Sequence, residues 1–312
     1  MRRQFYIVLL IILSVFAGCS NDSGDPDYRE ELVIFGYLFV DEAVTPENAI
    51  FVGKTLPIDE YYEQSRSALS GAIVQLENED ASESFLLTEE DPQNRPGFYS
   101  NSDVVIESQT HYRLTVETAD QSKSAFSQTF TPYLMEMIEE PSYIPKELIF
   151  DEDDELLPTD TVPDSLTMVF DDIPDYHRIV FRCSDPTEEQ ICLVDIYCLE
   201  KWQDAHYIYV LNDHDQPEDE EEYEGQGSEE PRHTMGYLRL ENFDEENGDY
   251  VFNWYGGMFA FWGRYELGLY TIDDNYYNFL YKTNPEQNSG IEGGIGVFGS
   301  ACRQVYYLKI KE

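Results

Sequence analysis

The segment Tyr112–Ala119, "YRLTVETA", is the clearest indication of the fold class, because Tyr112, Leu114, Val116 and Thr118 alternate with mostly polar residues and would fall on one side of a strand. A period of two is typical of a β-strand with one buried face. Around it lie further β-type runs, separated by turn-rich pieces such as "EDPQNRPG". About seven short strands predict an immunoglobulin-like β-sandwich over residues 32–132. The other six runs are residues 32–40, 49–56, 72–78, 84–88, 97–100 and 124–130.

The rest of the chain predicts a second β unit. Residues 133–164 contain four prolines and the run "DEDDE", which indicates an acidic connector. Residues 165–312 return to β-type runs and predict a larger antiparallel domain, interrupted by an acidic loop at residues 211–233. Within it, "TIDDNYYNFLYKTN" predicts one short amphipathic helix, with Thr271 or Asp273 as its N-cap. The fold class is therefore mostly β.

The amino terminus has the pattern of an export signal. Two arginines precede the apolar run Phe5–Phe16, which is short for a bilayer span of about 20 residues. Small residues then precede Cys19, as in a bacterial lipobox. We expect residues 1–18 to be a lipoprotein signal peptide, Cys19 to carry a diacylglycerol and acyl chains such as palmitate, and residues 19–31 to form a tether. An uncleaved anchor helix or an ordinary signal peptide is the alternative.

Charge limits the classes of partner. The chain has 63 acidic and 19 basic residues, a net charge of -44. Such a charge disfavours nucleic acid and anionic lipid head groups, which are polyanions. The acidic loops lack the glycine and terminal glutamate of an EF-hand. We therefore expect no cofactor, apart from weak binding of Ca²⁺ at these loops. No metal site is predicted.

Four cysteines remain after Cys19 is set aside: Cys183, Cys192, Cys198 and Cys302. In an exported chain they can form two disulfides. If "ICLVDIYCL" is one strand, Cys192 and Cys198 share a face but lie about 20 Å apart, too far to bridge. Cys183 would then pair with one of them and Cys302 with the other. A zinc site competes, but no CxxC spacing supports it.

Two motifs invite functional interpretations. "GGIGVFG" formally matches GxGxxG, but only 13 residues follow Gly299, so no βαβ unit fits. The glycines instead indicate a positive φ or close backbone packing in a turn or bulge before the last strand. The aromatic cluster "NWYGGMFAFWG" is core, a partner interface or a ligand platform. Its candidate patch residues are Trp254, Tyr255, Phe259 and Trp262. No catalytic residue can be selected from so many carboxylates.

Several of these features occur together in one known family. "ELVIFGYLFVDEAV", "ELGLYTIDDNYYNFLYKTN" and "NSGIEGGIGVFGSACRQVYYL" follow the lipobox in that order. The chain resembles the Bacteroidota outer-membrane lipoproteins grouped as domain of unknown function 4249, most specifically in its last 50 residues. The positions that fit the family's C-terminal glycine-rich segment are Asn288, Gly293, Gly294, Gly296, Phe298 and Gly299.

The resemblance implies a lipid-anchored outer-membrane protein, facing the cell exterior and encoded beside a TonB-dependent receptor. We therefore expect a non-enzymatic accessory to such a receptor in nutrient capture. The alternatives are a surface glycan- or peptide-binding module and, less favoured, a hydrolase. The family supplies no catalytic residues that could be carried over.

Overall fold

The computed structural model describes residues 28–57, 61–133, 135–139, 144–151, 155–169, 177–183, 190–200, 206–207, 232–254, 259, 261–282 and 290–311. Strands form most of this part of the chain. In chain order they are β1 (Leu32–Phe39), β2 (Ala43–Val44), β3 (Ile50–Lys54), β4 (Ile73–Asn78), β5 (Glu83–Glu89), β6 (Phe98–Val105), β7 (His111–Glu117), β8 (Ser124–Phe130), β9 (Met135–Glu139), β10 (Met168–Val169), β11 (His177–Cys183), β12 (Ile191–Cys198), β13 (His206–Tyr207), β14 (Arg232–Arg239), β15 (Asp244–Glu246), β16 (Asp249–Trp254), β17 (Phe261–Ile272) and β18 (Gly294–Lys311).

Helices are few and short in the described ranges. A helical turn spans Gln64–Ser67, and the longer C-terminal helix spans Asp274–Tyr281. Single 3-10 turns occupy Lys146–Leu148, Thr159–Thr161, Asp164–Leu166 and Leu240–Asn242. The mostly β fold class is confirmed. No helix among the described residues is long and apolar enough to cross a membrane.

Two sheets organise the described residues. The large one runs in the order β14-β12-β17-β18-β1-β3-β6-β5-β4-β7-β8, with β10, β13 and β2 attached at its side. It is mixed, because β18 pairs in parallel with β1 and with β10. The C-terminal part, which was predicted to be antiparallel, therefore contains one parallel pair, β10 with β18. The small sheet has the order β15-β16-β11-β9 and is antiparallel throughout.

The strands of the first half match the predicted runs closely. In β7, Tyr112, Leu114 and Val116 are buried while their neighbours are not, as the alternation predicts. The strands follow one path of pairs, and the step from β5 to β6 consists of only two residue pairs. At the other end Phe126 of β8 exchanges backbone hydrogen bonds with Glu292, just before β18. The path therefore curls back on itself, and its immunoglobulin-like character stays a prediction.

Strand β18 joins the two halves of the chain. Gly294–Ala301 pair with β1, and Ala301–Ile310 pair with β17. Ile291 and Phe298 lie in the first hydrophobic core, among side chains of β1 to β8. Leu308 and Ile310 lie in the second core, between the large and small sheets. The predicted boundary between residues 32–132 and 165–312 therefore does not separate two independent cores.

The segment predicted as a connector, residues 133–164, is folded where the structure describes it. Strand β9 pairs with β11 in the small sheet. Ile144, Ile149 and Val162 form a small core of their own, which Tyr307 of β18 covers. Where it is described, the segment therefore packs with the second half of the chain. The middle of its acidic run, residues 152–154, lies outside the described residues.

The predicted helix is confirmed at Asp274–Tyr281. Asp273 is its N-cap, and its side chain accepts a hydrogen bond from the backbone N–H of Tyr276. The helix packs on β18 and β1, where Tyr276 stacks on Tyr37 at 4.2 Å and Phe279 meets the edge of Phe35. It therefore covers part of the outward face of β1.

The glycine-rich motif forms the start of β18 itself rather than a turn before it. Gly296 has φ +115, and a Cβ atom there would lie 1.9 Å from the carbonyl oxygen of Ile34. Only glycine allows β1 and β18 to approach so closely. The dense-packing interpretation of these glycines is correct, although their expected position was not.

Candidate functional site

A groove lined by aromatic rings runs along the outward face of β1. Its volume is about 530 Å³. We call it the aromatic groove, and its rings are those of Phe35, Tyr37, Phe39, Phe51, Tyr62 and Phe98. The polar residues that line it include Glu42, Thr45, Glu47, Asn48, Gln64 and Arg303.

The alternation of β1 creates this face. Leu32, Ile34 and Leu38 point into the first core, so the odd-numbered residues point outward. The strand therefore presents Phe35, Tyr37 and Phe39 in a row, with a spacing of roughly 7 Å between successive rings along the strand. The helix covers part of the row, and burial raises the pKa of the Tyr37 hydroxyl. Phe35 stays 40% exposed.

An ion pair closes one side of the aromatic groove. Arg303 of β18 donates two hydrogen bonds to Glu42, at 2.6 and 2.7 Å, and its guanidinium lies 4.1 Å from the centre of the Phe39 ring. Burial alone lowers the pKa of Arg303, but the Glu42 hydrogen bonds and charge outweigh it, so the net shift is upward. Two parallel hydrogen bonds to one carboxylate fix the guanidinium in position.

A second cleft, of about 430 Å³, lies beside the start of the helix. Its central group is the Asp273 carboxylate, which accepts hydrogen bonds from Thr129 Oγ1 at 2.5 Å, Tyr276 N at 2.9 Å and Ser300 N at 3.1 Å. Burial raises the pKa of Asp273 to about 6, although these hydrogen bonds oppose the shift. The carboxylate ties β8, β18 and the helix together, which is a structural task.

Both clefts fall within one recognised sequence region. Residues 25–304 match the family described as Domain of unknown function (DUF4249). The chain belongs to the DUF4249 family. The match covers β1 to β17, the helix and most of β18, so every element that builds the two clefts lies inside it. None of the curated proteins matches the sequence.

Of the aromatic patch predicted from "NWYGGMFAFWG", the structure of this DUF4249 chain describes the surroundings of Phe259 and Trp262. Phe259 is 1% exposed and packs edge-on against Tyr265, and Trp262 is partly buried against the second core. Trp254 ends β16, where its backbone pairs with His177. Tyr255 lies outside the described residues. Phe259 and Trp262 therefore serve the core.

The four cysteines of the second half are buried, and they form no disulfide in this structure. Cys192 and Cys198 do share one strand, as expected. Cys302 lies in one row with Cys192, but Thr271 of β17 stands between them, so their Cα atoms are about 10 Å apart. Cys198 lies opposite Tyr265, which pairs with Leu308, six residues along β18 from Cys302.

Neither expected partner of Cys302 is therefore within the reach of a disulfide, about 7 Å between Cα atoms. Its actual neighbour is the small sheet: Met135 donates its backbone N–H to Cys302 Sγ at 3.4 Å, and Met135 pairs with Cys183. Burial raises the pKa of the Cys183 thiol to about 12. The predicted pairings are not formed in this structure.

The remaining predicted sites fall largely where the structure gives no description. Cys19 precedes the described residues, and the acidic loop is described only at Arg232 and His233, which begin β14. Among the described residues, no three His, Cys, Asp or Glu side chains come together to hold a metal ion.

Sequence reasoning missed the aromatic groove. Its signal was present in "LVIFGYLFV", where aromatic residues occupy the face opposite to the aliphatic ones. The contribution of Arg303 had no such signal, because it lies 261 residues from its partner Glu42.

Proposed function

We propose that this DUF4249 chain is a lipid-anchored, non-enzymatic protein of the outer membrane, facing the cell exterior and assisting a TonB-dependent receptor in nutrient capture. The aromatic groove carries the binding part of this proposal, because it is concave, rich in rings and of the size of small-ligand sites. The lipobox around Cys19 supports the anchored location.

Binding suits the groove better than catalysis does. Glu42 and Arg303 are held by each other through two hydrogen bonds. A general acid or base instead needs a carboxyl group poised to exchange a proton with a substrate. In the second cleft, Asp273 is engaged by three donors of the scaffold. These arrangements of the described residues support a holding role, and we therefore favour binding over the hydrolase alternative.

Location is tested by replacing the acylated residue. We expect Cys19→Ser to move the protein from the membrane pellet to the supernatant after cell breakage and ultracentrifugation, because the thiol that takes the lipid is gone. Ser20→Ala, at the next position, is the matched control and should stay in the pellet. If the Cys19→Ser protein remains in the pellet, the lipid anchor is wrong.

The receptor role is tested on the acylated protein extracted in mild detergent. A TonB-dependent receptor should co-purify with it and be identified by mass spectrometry. Recovery of the protein with no outer-membrane receptor would count against the accessory role while leaving the anchor untouched.

A further inference from the structure

We infer that the aromatic groove binds an uncharged oligosaccharide. The inference rests on the proposed capture role and names the ligand class that the groove fits. It moves the glycan-binding alternative from the buried Phe259 region to the outward face of β1.

Two exposed rings provide stacking surfaces in the groove. Tyr62 is 64% exposed and Phe35 is 40% exposed. Phe35 is held by Phe279, with ring centres 5.6 Å apart, so it keeps its position without a ligand. Aromatic rings offer flat apolar area together with little conformational entropy to lose, and the C–H faces of sugar rings match such surfaces.

The charge of the groove favours a neutral ligand. Arg303, the one cation among the described residues that line it, is already neutralised by Glu42 through two hydrogen bonds. Glu42 and Glu47 leave the lining with a net negative charge, and the whole chain carries -44. The net charge of the lining and of the whole chain therefore disfavours a phosphorylated or carboxylated ligand.

A peptide fits this groove less well. Extended peptides usually bind by adding a strand to an open sheet edge. Here β1 is paired with β18 along its whole length and with β3 over Leu32–Phe35, and the Phe39 carbonyl accepts a hydrogen bond from the Glu42 N–H, so its open edge is short. Hydroxyl groups of a sugar need only side-chain partners, and Thr45 and Gln64 line the groove.

The wall of the groove is ordered before any ligand arrives. Asn48 Oδ1 accepts from the Thr45 backbone N–H at 2.6 Å, and Asn48 Nδ2 donates to the Ala43 carbonyl at 2.9 Å. These bonds close the loop between β2 and β3. A fixed wall lowers the entropy cost of binding.

The experiment uses the acylated full chain in mild detergent and isothermal titration calorimetry. The probes are maltohexaose, cellohexaose, xylohexaose and mannohexaose, with oligogalacturonate and hexalysine as charged comparisons. We expect at least one neutral hexasaccharide to bind. Tyr62→Ala and Phe35→Ala should each weaken that binding by about tenfold or more, since a tenfold change corresponds to about 1.4 kcal/mol.

Tyr61→Ala is the matched control, because Tyr61 is adjacent, 83% exposed and outside the lining of the groove. It should leave the affinity unchanged. Tyr62 is exposed, so its replacement should also leave the thermal unfolding midpoint unchanged. The inference is overturned if no neutral probe binds, if a charged probe binds more tightly, or if Tyr61→Ala costs as much as Tyr62→Ala. If the sugar test fails while the Cys19→Ser protein is released from the membrane pellet, the sugar assignment is wrong and the lipid anchor still stands.

Discussion

At the scale of single residues, Asp273 joins three elements through one carboxylate. It caps the helix, accepts from Thr129 of β8 and accepts from Ser300 of β18. Thr129 and Ser300 are themselves buried, with their hydroxyl oxygens 2.7 Å apart. Enclosing a carboxylate here costs solvation, which explains its raised pKa of about 6.

Asp273 should make stability depend on pH in a defined window. Its pKa is about 6 in the folded chain against an ordinary value of 3.8, so the folded state binds more protons between these values. Its contribution is therefore fully present below pH about 4 and is lost as the pH rises to about 6, by at most about 3 kcal/mol. Asp273→Asn keeps an acceptor but cannot ionise. The free energy of unfolding of this variant, measured in urea, should improve relative to the wild type as the pH rises from about 4 to about 7.

Asp103→Asn is the control for the lost charge, because Asp103 is exposed on β6. Its difference from the wild type should not follow the same trend. A constant difference between Asp273→Asn and the wild type at every pH would contradict the assigned shift.

At the scale of elements, β18 depends on its glycines. The register places Gly296 opposite Ile34 of β1, and Ile34 is paired on its other side with Val52 of β3, so β1 cannot move aside. Gly296 therefore meets two constraints at once: its φ is positive, and its Cα lies close to the backbone of Ile34.

Gly296→Ala should therefore destabilise the chain by more than about 4 kcal/mol, since it combines a positive φ with a backbone clash. Thermal unfolding followed by circular dichroism measures this. Gly236→Ala is the matched control: Gly236 lies in β14, and a Cβ atom there meets nothing within 4 Å. If both variants unfold at the same temperature, the close approach of β1 and β18 is wrong.

Many of the strands and the C-terminal helix could be predicted from the sequence. The runs at residues 32–40 and 124–130 become β1 and β8 with small changes at their ends. The helix follows the expected cap at Asp273. The burial of Phe259 could not be predicted from sequence, because exposure depends on what packs against a ring, and Phe259 is covered by Tyr265 and its neighbours.

At the scale of the whole molecule, one strand completes both cores. The amino-terminal half needs Gly294–Ala301 to cover β1 and needs Ile291 and Phe298 to fill its core. The fold therefore closes only when the carboxyl end of the chain returns to the beginning.

We expect a fragment of residues 25–133 to lack a cooperative unfolding transition, because it exposes one edge of β1 and loses core side chains. Adding a peptide of residues 290–304 should restore a transition in urea, and the same peptide with Gly296→Ala should not. Cooperative unfolding of the fragment alone would instead establish an independent domain, as the sequence first predicted.

The sequence by itself determined the local conformations of this protein. Period-two alternation specified strands, a capping aspartate specified where the helix begins, and glycines marked positions of close approach. The parallel pairing of β1 with β18, the separation of Cys302 from Cys192 and Cys198, and the groove in which Arg303 meets Glu42 follow only from the tertiary structure. The physical reason is range: neighbouring residues fix local backbone preferences, whereas pairing across 261 residues depends on the packing of the whole core.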